Sequence, residues 1–254
     1  MESWLSRLSA AMFLGGQVLV HLLKVKIHRR NTIDTMAEVG PESLTIVLVT
    51  AAFVGMVFTI QVAREFISLG AQTAVGGVLA LALTREIAPV LTALLVAGRV
   101  GSAFAAEIGT MRVTEQIDAL YTLKTDPIDY LVIPRVLACS LMLPILTILF
   151  LVTGMAGGMA LADNLFDIPQ SLFLSSIDRF IDVWDLFSSV IKSAIFGGLI
   201  ATIGCSWGLT TTGGAKGVGK STTTAVVTAM LAIFITNFFL SWLMFQGTGT
   251  ITPN

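Results

Sequence analysis

Apolar residues in this chain fall into long runs with few charges, not into the alternating or one-in-three rhythm of a soluble strand or helix. Five runs reach bilayer length: residues 43–63, 75–110, 129–161, 186–209 and 225–246. A spanning helix needs about 20 mostly apolar residues. Polar stretches separate the runs at 111–128, 162–185 and 210–224, and a mixed segment, 1–42, precedes them. The pattern predicts an all-α integral membrane protein with five transmembrane helices.

The first segment reads differently from the spans. Residues 4–30, WLSRLSAAMFLGGQVLVHLLKVKIHRR, are apolar early and basic late. This predicts an amphipathic interfacial helix, with Trp4 and Phe13 inward and Lys24, Lys26, Arg29 and Arg30 towards anionic headgroups. Gly15-Gly16 argues against a spanning helix. His21 and His28 have no carboxylate near in sequence and are assigned no chemistry. Residues 10–20 lack a small-residue cleavage pattern, so insertion through the chain's own spans is expected. Residues 31–42 read as a polar linker whose Gly40-Pro41-Glu42 signals a helix start.

The second span carries the most information. Residues 79–110 number 32, roughly 48 Å as a helix against about 30 Å of hydrocarbon. Within it Ala93, Ala97, Gly101, Ala105 and Gly109 recur every four residues, a small-residue face on which another helix can approach closely. Pro89 removes a backbone donor and predicts a kink or fresh start beside Arg85 and Glu86. Arg85, Glu86, Arg99 and Glu107 are ionisable residues in a membrane-length helix, and such residues mark functional sites by default. Arg99 and Glu107 lie two turns apart, so each needs its own partner.

The stretch REIAPVLTALLVAGRVGSAFAAEIGTMRVTEQIDAL resembles the signature region of the MlaE/YrbE permeases, membrane subunits of lipid-transporting ABC transporters. A second stretch, GAKGVGKSTTTAVV (residues 214–227), resembles another of their motifs. The resemblance implies a single permease domain over nearly the whole chain, with an N-terminal elbow helix before the spans. It also implies that the short amphipathic helix after the second span is a coupling helix for an ATPase subunit, through Glu115, Gln116, Ile117, Asp118 and Leu120. The further implied partners are a second copy of the chain and an MCE-domain lipid-binding protein, with phospholipid or a related lipid as cargo. The implied membrane is a bacterial inner membrane or a plastid inner envelope.

Composition agrees with a membrane protein. Charged residues are 12% of the chain, against roughly 25% in soluble domains, and the mean hydropathy is +0.87. A net charge of −1 gives no sign of a nucleic-acid partner. The two cysteines, Cys139 and Cys205, sit in apolar runs far from any histidine, so packing is expected, with no metal site or cofactor. Loops with Arg112, Lys124, Arg135, Lys216 and Lys220 are basic-biased, whereas residues 163–185 hold five Asp and one Arg. By the positive-inside rule the N-terminus is cytoplasmic, the C-terminus lies on the other side, and short helices in 162–185 rest on the outer membrane surface.

One motif points elsewhere. Residues 214–221, GAKGVGKS, satisfy G-x-x-x-x-G-K-[ST], which would put Lys220 and Ser221 on a nucleotide. That chemistry needs a strand before the loop, and here a membrane span precedes it. The expectation is a tight cytoplasmic turn with Gly214, Gly217 and Gly219 supplying conformational freedom, and no enzymatic activity in this chain. Two rivals remain: a secondary transporter, which should show inverted repeats, and a membrane scaffold, which should tolerate neutralisation of Arg99.

Overall fold

The computed structural model describes residues 4–24 and 29–246. Lys26 and His28 lie outside the described residues, as do the side chains of Trp4, His21 and Lys24 and the tail after 246. The described residues form helices and their connections, with no strand among them. In order these are α1 (Trp4–Lys24), α2 (Arg29–Val39), α3 (Pro41–Ser68), α4 (Gln72–Val113), α5 (Gln116–Thr122), α6 (Ile128–Phe166), α7 (Gln170–Phe180), α8 (Val183–Leu209) and α9 (Gly214–Phe245). The runs Arg29–Ser68, α4, α6, α8 and α9 are long and apolar enough to cross a membrane. The all-α, five-span architecture read from the sequence is the one observed.

The expected boundaries need four corrections. Residues 31–42 are not a linker: α2 fills most of them, and Gly40 makes the corner into α3. A side chain at Gly40 would strike Met142 Cε, and Pro41 fits the first helical position, where no N–H is needed. Second, α3 runs to Ser68, past the predicted end at 63. Arg64 and Glu65 end a hydrophobic span but are good helix formers.

Third, the segment 162–185 does not simply rest on a surface. Its helix α7 packs on the start of α4, where Phe173 is 1% exposed. Gly76 and Gly77 leave the space for Phe173 and Phe180, and the Gly77 amide donates to Ser176 Oγ at 2.8 Å. Fourth, the glycine-rich stretch 214–224 is not a turn. The connection is confined to 210–213, and α9 begins at Gly214, where Gly213 and Gly214 take positive φ of 90° and 64°. The following threonines survive inside a helix because Thr222, Thr223 and Thr224 donate to carbonyls four residues back.

The chain divides into two compact units. One draws on residues up to Ser43, Ala93–Leu143 and Ala194–Ile235. Its core includes Trp207, Phe196, Cys139 and Cys205, all fully buried, with both cysteines free, as a packing role requires. In it α1 buries Ala11, Leu14 and Val18 while Met12 and Phe13 are exposed. The helix is therefore apolar on two faces, where the sequence reading supplied one. The other unit draws on Leu44–Thr92, Pro144–Ser193 and residues from Thr236. There α3 and α6 cross with backbones touching: a Cβ on Gly55 would overlap the Gly154 carbonyl.

Candidate functional site

The unit containing Leu44–Thr92 holds a charged cluster built around a defect in α4. Residues Leu83–Ile87 form a π-helical turn in which the Ala88 amide reaches back to the Leu83 carbonyl. Pro89, with no N–H, cannot serve the carbonyl of Arg85 four residues earlier. Lys192 on α8 serves it instead, donating from Nζ at 2.8 Å. The same ammonium donates to Glu86 Oε1 at 3.0 Å and to Ser241 Oγ at 2.8 Å. All three of its donors are thus used, and Lys192 is fully buried.

Glu86 is equally well held. Ser241 Oγ donates to Oε1 and Asn237 Nδ2 to Oε2, each at 2.7 Å. Arg85 turns the other way: its Nε pairs with Asp185 Oδ1 at 2.7 Å, and its guanidinium lies 4.5 Å from the centre of the Phe245 ring. Asp185, the last residue of the stretch 162–185 expected to rest on the outer membrane surface, is 1% exposed. A buried carboxylate survives there because a cation meets it directly. The Arg85 side chain keeps 31% of its surface and Glu86 44%, so both remain reachable from outside this chain.

A second cluster belongs to the other unit. Arg99 lies in another π-helical turn, Ala97–Gly101, where the Ser102 hydroxyl bonds the Gly98 and Arg99 carbonyls. Its guanidinium reaches the corner between α2 and α3, pairing with Glu42 Oε2 and donating to Ser43 Oγ at 3.0 Å. Glu107 pairs with Arg135 Nη2 at 2.7 Å. Arg135 also donates to the Leu131 carbonyl and lies over the Phe104 ring. Glu38, Glu42, Arg99, Phe104 and Glu107 line one cavity of about 260 Å³. Arg99 and Glu107 therefore have separate partners, as their spacing required, and share a cavity. Arg85 and Glu86 belong to the first cluster.

The small-residue ladder is buried throughout: Ala93, Ala97 and Ala105 are 0% exposed, and Gly101 and Gly109 are buried too. Its lower rungs receive α8. A Cβ on Gly204 would press on the Gly101 carbonyl, and one on Gly208 on Ile108. The ladder is thus a packing face within the chain.

After α4 the backbone turns at Glu115, whose φ is +61°, and α5 follows. Ile117, 2% exposed, is its buried anchor, and Arg112 Nη1 pairs with Asp118 Oδ1 at 2.8 Å. Glu115, Gln116 and Asp118 face outward, Leu120 is half-buried, and Tyr121 and Leu123 are 61% and 73% exposed. Of the five residues assigned to coupling, Ile117 thus points into the protein.

The Walker-like stretch has none of the geometry its letters demand. It opens a helix directly, after the helix α8 and a short connection. Gly214, Gly217 and Gly219 sit in the first turns of α9, and Ser221 is 1% exposed, receiving Arg7 Nη1 at 3.1 Å. Arg7 Nη2 donates to the Thr210 carbonyl at 2.9 Å. Sequence reasoning overlooked Lys192, Asn237 and Ser241. The signal was present: Lys192 is a lone cation within a span, the same oddity that singled out Arg99.

Residues 32–243 match the family model described as Permease MlaE. A probable ABC transporter permease protein of Synechocystis sp. is 69% identical over 246 residues, 97% of this chain and 94% of that protein. The protein TRIGALACTOSYLDIACYLGLYCEROL 1, chloroplastic, of Arabidopsis thaliana is 52% identical over 241 residues, 95% of this chain and 69% of that one. A probable ABC transporter permease protein of Pyropia yezoensis is 48% identical over 250 residues, 98% and 95% of the two chains. A five-span all-α chain with charged clusters in its spans, matched in this way over nearly its whole length, belongs to the MlaE permease family, as a multi-pass ABC transporter permease.

Proposed function

We propose that this permease moves phospholipid or a related lipid between membranes, as a homodimer driven by a separate ATPase subunit. The observation that carries the reading is α5: a short helix with one buried anchor and an outward face of Glu115, Gln116 and Asp118. A seven-residue helix is not stable alone, so a face of this kind suits a protein that docks on it. Lipid as cargo is supported by family membership and by the glycolipid name that the Arabidopsis relative carries.

In this reading the N-terminus lies on the ATPase side, cytoplasmic or stromal, and an MCE-domain partner exchanges lipid on the other. ATP-driven closure of the ATPase pushes α5, and α4 carries the movement to the dimer cavity. Arg85, Glu86 or Arg99 meets the lipid headgroup there. The test is affinity purification of the detergent-solubilised chain, wild type against Glu115→Arg/Asp118→Arg, with copurifying proteins identified by mass. An ABC ATPase should accompany the wild type and be lost with the variant. Absence of any ATPase from both would favour a secondary transporter, with the Glu86–Lys192 pair as its candidate ion-coupled element.

A further inference from the structure

The unit holding α1 contains an apolar cleft of about 520 Å³, larger than the cavity beside Arg99, and nothing in the transport reading uses it. Its walls come from α1, α6, α8 and α9, including Ala11, Gly15 and Val18 on one side and Ala194, Gly198 and Leu199 on another. The polar side chains in the lining are Ser140 and Thr202. Two hydroxyls cannot give a string of waters the two to four partners each requires, so a space of this size and polarity does not hold water. Empty, it would forfeit the contacts of every wall atom.

The cleft is also kept open by design of the sequence. Small residues face each other across it, Gly15 with its nearest neighbour atom, Thr202 Cγ2, at 3.8 Å from where a Cβ would stand. Arg7, one residue before the lining Leu8, ties α1 to Thr210 and Ser221. At the rim, Met12 and Ile195 are 74% and 37% exposed, so the cleft communicates with the surroundings. Three of its four walls are helices that cross the membrane by length and composition. The surroundings are therefore hydrocarbon.

We infer that this cleft is a binding site for an acyl chain of a bilayer phospholipid, lodged between α1 and the spans α6 and α8. The lipid acts there as a resident part of the permease: it completes the packing of α1, and this site is separate from the charged clusters proposed to handle cargo. The volume lies in the range of ordinary small-molecule sites, and the binding is non-directional, requiring length and apolarity in place of a particular headgroup.

Gly15→Leu tests the site. A Cβ at Gly15 meets only ordinary contacts and Leu favours the helix over Gly, so the variant should fold while its side chain occupies the cleft. Gly16→Leu, on the exposed side of α1 with open space around it, is the matched control. The full chain in bilayer nanodiscs doped with a phospholipid carrying a diazirine on its acyl chain is photolysed, and adducts are mapped by mass spectrometry. Wild type and Gly16→Leu should carry adducts on the cleft-lining Ala11, Val18 and Leu199, and Gly15→Leu should lose them, while adducts on the exposed Met12 and Phe13 persist. Adducts on the lipid-exposed Phe238 and Trp242 should persist in all three. The inference is overturned if wild type shows no adducts at Ala11, Val18 or Leu199, or if Gly15→Leu keeps them.

Discussion

Lys192 Nζ donates to the main-chain carbonyl of Arg85 at 2.8 Å, the acceptor that Pro89 leaves vacant one helical turn later. A side chain from α8 thus repairs a break in α4, and the repairing ammonium is the cation that holds Glu86. Backbone defect and ion pair thus share one side chain.

Lys192→Met should lower stability by about 2–3 kcal/mol, since it strands Glu86 and a buried carbonyl together. Pro89→Ala supplies an N–H to the Arg85 carbonyl. Lys192→Met should therefore cost less in a Pro89→Ala background, with a coupling energy on the order of 1 kcal/mol. Denaturant unfolding of the four purified proteins in micelles measures this cycle; strict additivity would separate the two features.

Arg99 and Glu42 are half-exposed, and such a pair contributes below about 1 kcal/mol. Arg99→Ala should leave the unfolding midpoint nearly unchanged while lowering lipid-stimulated ATP hydrolysis by the assembled complex. The reversed pair Arg99→Glu/Glu42→Arg should not restore hydrolysis if Arg99 meets a headgroup. Full recovery would reduce Arg99 to a structural tie.

Gly55→Ala should destabilise by about 1–3 kcal/mol, because the new methyl meets the Gly154 carbonyl and the two backbones must part. Gly219→Ala, with open space around it, should instead be neutral or stabilise by up to about 1 kcal/mol through helix propensity. Thermal unfolding in one detergent compares them directly.

Lys220 is exposed on α9 and Ser221 is buried beneath Arg7. Lys220→Ala should leave ATP hydrolysis by the complex unchanged, where a phosphate-binding lysine would abolish it. Ser221→Ala should cost about 0.5–1.5 kcal/mol of stability, the worth of its bond to Arg7. Hydrolysis assays and unfolding curves on the same preparations decide both.

The spans were legible because burial in lipid demands long apolar runs, a requirement that a sequence states openly. The charges of α4 were legible for the complementary reason, since ionisable residues are costly in hydrocarbon. Their partners were not: Asp185 lies 100 residues from Arg85 and Ser241 155 from Glu86, separations that local pattern cannot bridge. The start of α9 was misread because glycines and threonines favour turns in isolation. The threonines' bonds to carbonyls one turn back remove that preference.

The π-helical turn Ala97–Gly101 has a consequence for how α4 keeps time. A residue in a regular α-helix advances about 100°, so a four-residue repeat drifts about 40° per step and about 160° from Ala93 to Gly109. Strict α-helix would carry the last rungs nearly to the opposite side, yet all five are buried. The wider turn winds back part of that drift. It acts as a leap day that holds a four-beat sequence to a 3.6-beat helix. Regular winding over the same number of residues would swing Ala105, Gly109 and the α5 segment beyond them out of phase, whereas deleting one residue there removes the extra residue and the wide turn together and keeps α5 in register.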